Sequence, residues 1–136
     1  MRVEFNFSGL TGNTTASHIH CCTLVAGSGN AGVAPVVPTF AFPLGVQAGV
    51  FDRTFDLSLA SSFNAAFVTA NGGTPTSATN ALVLGLDAMK AYLNIHTSAA
   101  AAGEIRTLLA PVPLPAAVWL MLPALAGLVG MRKSRT

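Results

Sequence analysis

From its first residues the chain alternates. Val3, Phe5 and Phe7 fall on one side and Glu4 and Asn6 on the other, the period-two pattern of a strand with one buried face. Further runs rich in β-branched or aromatic residues, each bounded by Gly, Asn, Ser or Pro, extend the prediction to strands over residues 3–8, 17–23, 49–59, 91–97 and 103–109. In the third of these Phe51, Phe55, Leu57 and Leu59 point one way, which leaves Asp52, Arg53 and Asp56 as its solvated face. Residues 26–45 are heavy in Gly and Pro and fit neither period, so they read as a long loop. A short helical turn is expected over residues 61–68. Ala81, Leu82, Gly85 and Leu86 recur at three- and four-residue spacing, predicting one to two helical turns over residues 79–87, capped by Thr79 or Asn80. Residues 1–110 therefore read as one all-β domain.

The remaining piece, residues 111–136, has another character. Residues 116–131 carry no charge, and Arg132, Lys133 and Arg135 follow them. As a helix that stretch spans about 24 Å, and residues 112–115 bring it to roughly 30 Å, the thickness of a hydrocarbon core. The pattern predicts a transmembrane helix over about residues 114–131. It has no polar face with which a surface helix could meet water. Trp119 suits the outer interface and the basic cluster the cytoplasmic side, which puts the β domain outside.

Composition narrows the function. Only 9% of residues are charged, against roughly 25% in an ordinary soluble domain. The net charge is +2, yet residues 1–110 hold four basic and five acidic residues, so the whole basic excess lies in the tail. A body without a basic face is not a nucleic-acid binder. No Ser/His/Asp spacing, Gly-rich phosphate loop or paired-carboxylate arrangement stands out, so no enzyme is expected. The alternation begins at Val3 with no apolar signal segment ahead of it. An export signal and the first strand or two are accordingly expected upstream of Met1, leaving an incomplete domain that folds poorly by itself.

The candidate chemistry is concentrated in two strands. His18 and His20 flank Ile19 and project to one face, about 7 Å apart along an ideal strand. His96, the third histidine of the chain, shares a face with Asn94 in a second alternating run. Two readings stand. The histidines either bond backbone groups across neighbouring strands, with Glu104 as a partner for His96, or they converge on copper or zinc, with Cys21 or Cys22 as an optional further ligand. In the second reading Asn94 holds His96 in place. Adjacent cysteines close a strained eight-membered ring, so Cys21 and Cys22 are expected to stay thiols, bind metal or bond to a partner.

The same residues carry family resemblances. Ser8-Gly9-Leu10-Thr11-Gly12, Ala16-Ser17-His18-Ile19-His20, Ala91-Tyr92-Leu93-Asn94-Ile95-His96-Thr97 and Gly103-Glu104-Ile105-Arg106 together resemble the chordin-type CHRD domain. That family occurs as modules of metazoan chordins and singly in bacterial surface proteins. Cys21-Cys22 and the long loop replace the glycine usual after the HIH segment. The chain is also similar to copper,zinc superoxide dismutases, in which a GLT segment leads into an HxH strand and a later strand supplies another ligand. That resemblance implies a copper-type set of His18, His20 and His96, without the zinc cluster or the histidine shared by both metals. Together the two imply a β-sandwich of Greek-key, immunoglobulin-like or superoxide-dismutase-like kind.

Val112, Pro113, Leu114, Pro115 and Ala116, followed by a membrane helix and a basic end, resemble the PEP-CTERM sorting signal in its VPLPA form. This implies a Gram-negative bacterium, processing by a membrane exosortase, and passage from the periplasmic face of the membrane to the cell surface. The function expected is a non-enzymatic surface module associated with extracellular polysaccharide or matrix. The alternative is a periplasmic or surface copper or zinc binder that uses the three histidines, with a metal-dependent redox activity as the further alternative to a non-enzyme.

Overall fold

The computed structural model describes residues 1–35 and 42–109. Strand β1, Arg2–Phe7, pairs antiparallel with β3, Gly49–Thr54, in one sheet. The second sheet places β4, Tyr92–Thr97, between β2, Thr14–His20, and β5, Ile105–Leu108, all antiparallel. Two sheets, with a shared core cluster that takes in Phe7 and Phe51 from one and Ile19, Leu93 and Ile95 from the other, agree with a β-sandwich.

Each predicted strand is present, with shifted ends. The alternation of β1 holds, since Arg2, Glu4 and Asn6 are exposed while Phe7 is buried and Val3 and Phe5 are partly so. Its outer face is tied to β3 by a two-pronged Arg2–Asp52 pair at 2.8 and 2.9 Å. An exposed pair of this kind adds little stability. Strand β3 stops at Thr54 instead of continuing to residue 59 because Asp56 turns the chain, its carboxylate accepting from the Ser58 amide and hydroxyl. Strand β2 starts three residues before the expected position and ends at His20, where a disulfide between Cys21 and Cys22 interrupts the strand. That pairing corrects the expectation of free or metal-bound thiols. The bonded sulfurs sit against Gly85, where any side chain would collide with both, so the missing Cβ makes their room.

The helical content exceeds the expectation. The predicted turn at 61–68 is a 3-10 turn, Ala60–Ser62, followed by α1, Ala65–Ala70, capped by the Asn64 side chain. Helix α2 runs Pro75–Asp87, beginning before the predicted residue 79. Its cap is Thr74 and not Thr79 or Asn80: Thr74 and Ser77 form a reciprocal capping box, and Pro75 occupies the first turn where its missing N–H costs nothing. Periodicity missed this turn because residues 75–77 carry no apolar stripe. Phe67 of α1 and Ala78 and Leu82 of α2 are buried in the core, so the domain is mostly β with both helices built into it.

Within the expected loop, Val33 bridges His20 and Pro35 bridges Phe63. The proline motif at Val112 to Ala116, the membrane helix expected at about 114–131 and the basic cluster lie outside the described residues. Among the described residues no helix is long and apolar enough to cross a membrane.

Candidate metal centre

The site follows from the register of one sheet. β2 and β4 align His18 with Asn94, His20 with Tyr92 and Ala16 with His96. With period-two alternation, Ala16, His18 and His20 therefore share the sheet's outer face with Tyr92, Asn94 and His96, while Ser17, Ile19, Leu93 and Ile95 are buried on the other. His96 lies diagonal to His18 within imidazole reach. The three rings gather at centroid separations of 5.2 Å (His18–His96), 5.9 Å (His18–His20) and 6.2 Å (His20–His96). One ring nitrogen from each lies within 4.8 Å of the others, and the rings are partly buried.

Backbone carbonyls orient two of the rings. The His20 Nδ1–H donates to the Ala31 carbonyl at 2.8 Å, and the His96 Nδ1–H donates to the Ala101 carbonyl at 2.8 Å. A carbonyl only accepts, so both Nδ1 atoms carry the proton and both Nε2 atoms present a lone pair. The His20 Nε2 is buried and finds no hydrogen-bond partner among the described residues. The His96 Nε2 faces His18 Nδ1 at 3.3 Å, long for a hydrogen bond between nitrogens. Burial, followed by the neighbouring His96 and His20, lowers the His18 pKa below the ordinary imidazole range. Burial likewise lowers that of His20, joined by His96 and Arg106 and opposed by the Ala31 bond. Both rings thus favour the neutral form a metal requires.

The supporting shell is one that strand alternation alone did not assign. Tyr92 stacks flat on His20, with centroids 4.8 Å apart and planes at 3°, and the Arg106 guanidinium lies 3.6 Å from the Tyr92 ring centroid. Arg106 also donates to the Gly29 carbonyl and to Asn30 Oδ1, while the Ala31 amide donates to the Tyr92 hydroxyl. These bonds hold the loop that supplies the Ala31 carbonyl. The even spacing of Tyr92, Asn94 and His96 was the available signal for Tyr92. The two carbonyls carried none, since any residue has one. Asn94 acts a step further out than expected: its Nδ2 donates to the Ala102 carbonyl, steadying the turn whose Ala101 carbonyl orients His96.

Glu104 does not serve His96. Its carboxylate accepts from the Thr11 amide and hydroxyl, the Gly12 amide and the Thr97 hydroxyl, clasping the β1–β2 turn to β4. The disulfide likewise removes Cys21 and Cys22 from the ligand set. The four hydrogen bonds, led by that from the Thr11 amide and then the Thr97 hydroxyl, bring the Glu104 pKa down to about 2 from an ordinary 4.5. A carboxylate with a lowered folded-state pKa contributes stability that is complete above its unfolded value and is lost as pH falls through the folded one. Denaturation midpoints of the wild type should therefore fall more steeply than those of Glu104→Gln between about pH 4.5 and 2, whereas parallel pH profiles would contradict the clasp.

Fold and site together define a small two-sheet β module with a histidine cluster on an outer sheet face. Residues 1–109 match the family model of the CHRD domain, and the chain belongs to that family. No curated protein and no solved structure matches it.

Proposed function

We propose that this protein is a non-enzymatic module of the bacterial cell surface or extracellular matrix, exported and then sorted or anchored through its C-terminal segment. The observation that carries the reading is an ordered one: a CHRD domain ending at residue 109, then Val112-Pro113-Leu114-Pro115-Ala116, an uncharged run and Arg132, Lys133 and Arg135. Membership of the family points to an extracellular or secreted module. The terminal order supplies an address readable by an exosortase-type protease, with the uncharged run as the membrane segment and the basic cluster holding its end on the cytoplasmic side. Extracellular polysaccharide or matrix is the partner this placement brings within reach.

Reporter fusions test the topology. With a secretion signal supplied upstream, alkaline phosphatase joined after Ala110 should be active, as should β-galactosidase joined after Thr136 in the cytoplasm. The reverse pattern overturns the sorting reading.

The convergence of His18, His20 and His96, with no partner for the His20 Nε2 among the described residues, favours a second reading in which the module binds copper or zinc. The donor set fits either ion, because imidazole suits both. Glu104 is committed to the turn, and no carboxylate joins the histidine group among the described residues.

A further inference from the structure

We propose that His18 Nδ1, His20 Nε2 and His96 Nε2 hold one divalent ion with a coordination position that no His, Cys, Asp or Glu side chain of residues 1–136 fills, and that its occupant is an external carboxylate. The inference rests on the metal-binding reading and extends it from an ion site to a ligand site.

The nitrogen set follows from the hydrogen bonds. With both Nδ1 protons of His20 and His96 committed to carbonyls, only their Nε2 atoms can ligate, and His18 Nδ1 is the atom turned toward His96 Nε2. Two nitrogens at about 2.0 to 2.1 Å from a tetrahedral ion stand about 3.3 to 3.4 Å apart. The His18–His96 separation is 3.3 Å. It is the spacing of two ligands and a poor hydrogen bond.

The open position follows from residues 1–136. The chain has no histidine beyond these three, and both cysteines are joined in the disulfide. All five acidic residues, Glu4, Asp52, Asp56, Asp87 and Glu104, lie among the described residues, and none joins the cluster. Residues 36–41 and 110–136 contain no Asp, Glu, His or Cys side chain. A structural site closes its tetrahedron with protein ligands, whereas three protein ligands leave room for an exogenous one.

Charge selects the class of that donor. Three imidazoles ligate as neutral groups and leave the ion's double charge uncompensated. On this face the Arg106 guanidinium lies over the Tyr92 ring that stacks on His20, and it adds a further positive charge. In a partly buried site that field favours an anion over water. Imidazoles with an oxygen anion are a donor set suited to zinc. Carboxylates are also the anionic groups of acidic polysaccharides, the material this module would meet at a surface.

Cobalt(II) substitution of the full chain in detergent reads the ligand position directly, since its visible absorption responds to each change of donor. The probes are acetate and trigalacturonate, with methyl-esterified trigalacturonate as the neutral control. The expected result is about one cobalt per chain, displaced by zinc, and a saturable spectral shift with trigalacturonate that the ester does not cause. A shift with acetate but not with trigalacturonate supports the carboxylate position and assigns it to small acids. Stoichiometric cobalt whose spectrum no carboxylate moves overturns the proposal while leaving the metal reading intact. Failure to bind cobalt, zinc or copper removes both.

Discussion

Alanine at His18 or at His20 should abolish retention of copper or zinc by the purified full chain, where the parent retains about one ion per chain by mass spectrometry. The two variants are not equivalent. Among the described residues the His18 side chain makes no hydrogen bond to a backbone group, so removing it takes away a ligand and leaves the carbonyl-held loops in place. His20→Ala also strips the stack on Tyr92 and the bond to Ala31. Loss of a partner that only orients a ligand costs 10- to 100-fold in metal affinity, so loss of a ligand should cost more than about 100-fold. Thermal melts separate ligand loss from unfolding. Added zinc should raise the parent's midpoint, by an amount equivalent to about 2.7 kcal/mol at 100 times its dissociation constant, and leave that of His18→Ala where it was. Equal metal content in parent and His18→Ala, or none in either, would return these histidines to a structural role.

The largest loss of stability is expected from Gly103→Ala. Gly103 has φ of +117°, a backbone region that L side chains rarely adopt, and a Cβ there would overlap the Asn94 side chain. The backbone term costs of order 1–3 kcal/mol and the overlap a further 1–3 kcal/mol. Together, about 2–6 kcal/mol is a large share of the 5–15 kcal/mol available to an ordinary domain. The consequence reaches the site, because Asn94 would have to leave the Ala102 carbonyl and release the turn that carries the Ala101 carbonyl to His96. Asn94→Ala removes the same hydrogen bond and opens space for the new Cβ. The double variant should therefore be more stable than Gly103→Ala alone. Simple additivity in that cycle would place the cost in the backbone and not in the contact.

Some of this was legible in the residues because it depends on local periods. The alternation of Val3, Phe5 and Phe7 needed no tertiary information to place β1, and the HxH and NxH spacings put His18 and His20 on one face and Asn94 and His96 on another. The start of α2 was written too, in Thr74 and Pro75, but in capping chemistry and not in apolar spacing. The four motifs that resemble a CHRD domain read as a pattern whose purpose was hidden. In the fold, Thr11 and Gly12 of the first bind Glu104 of the last. The separation of more than 90 residues between these partners is why no local window could pair them.

What the sequence determined by itself was the existence and facing of the strands and the place of the basic excess in the last residues, since each is a property of neighbouring residues or of their sum. What only the tertiary structure decided was which strands adjoin and in what register. That register brings His96 to His18, turns Glu104 away to the β1–β2 turn, and sets Tyr92 and Arg106 behind His20. Tertiary packing also set Gly85 of α2 against the bonded Cys21 and Cys22, where its missing Cβ leaves room for both sulfurs. Side-chain direction follows from the pleat of one strand, but the meeting of side chains depends on hydrogen bonding between strands far apart in the chain, and that is settled only when the whole core packs.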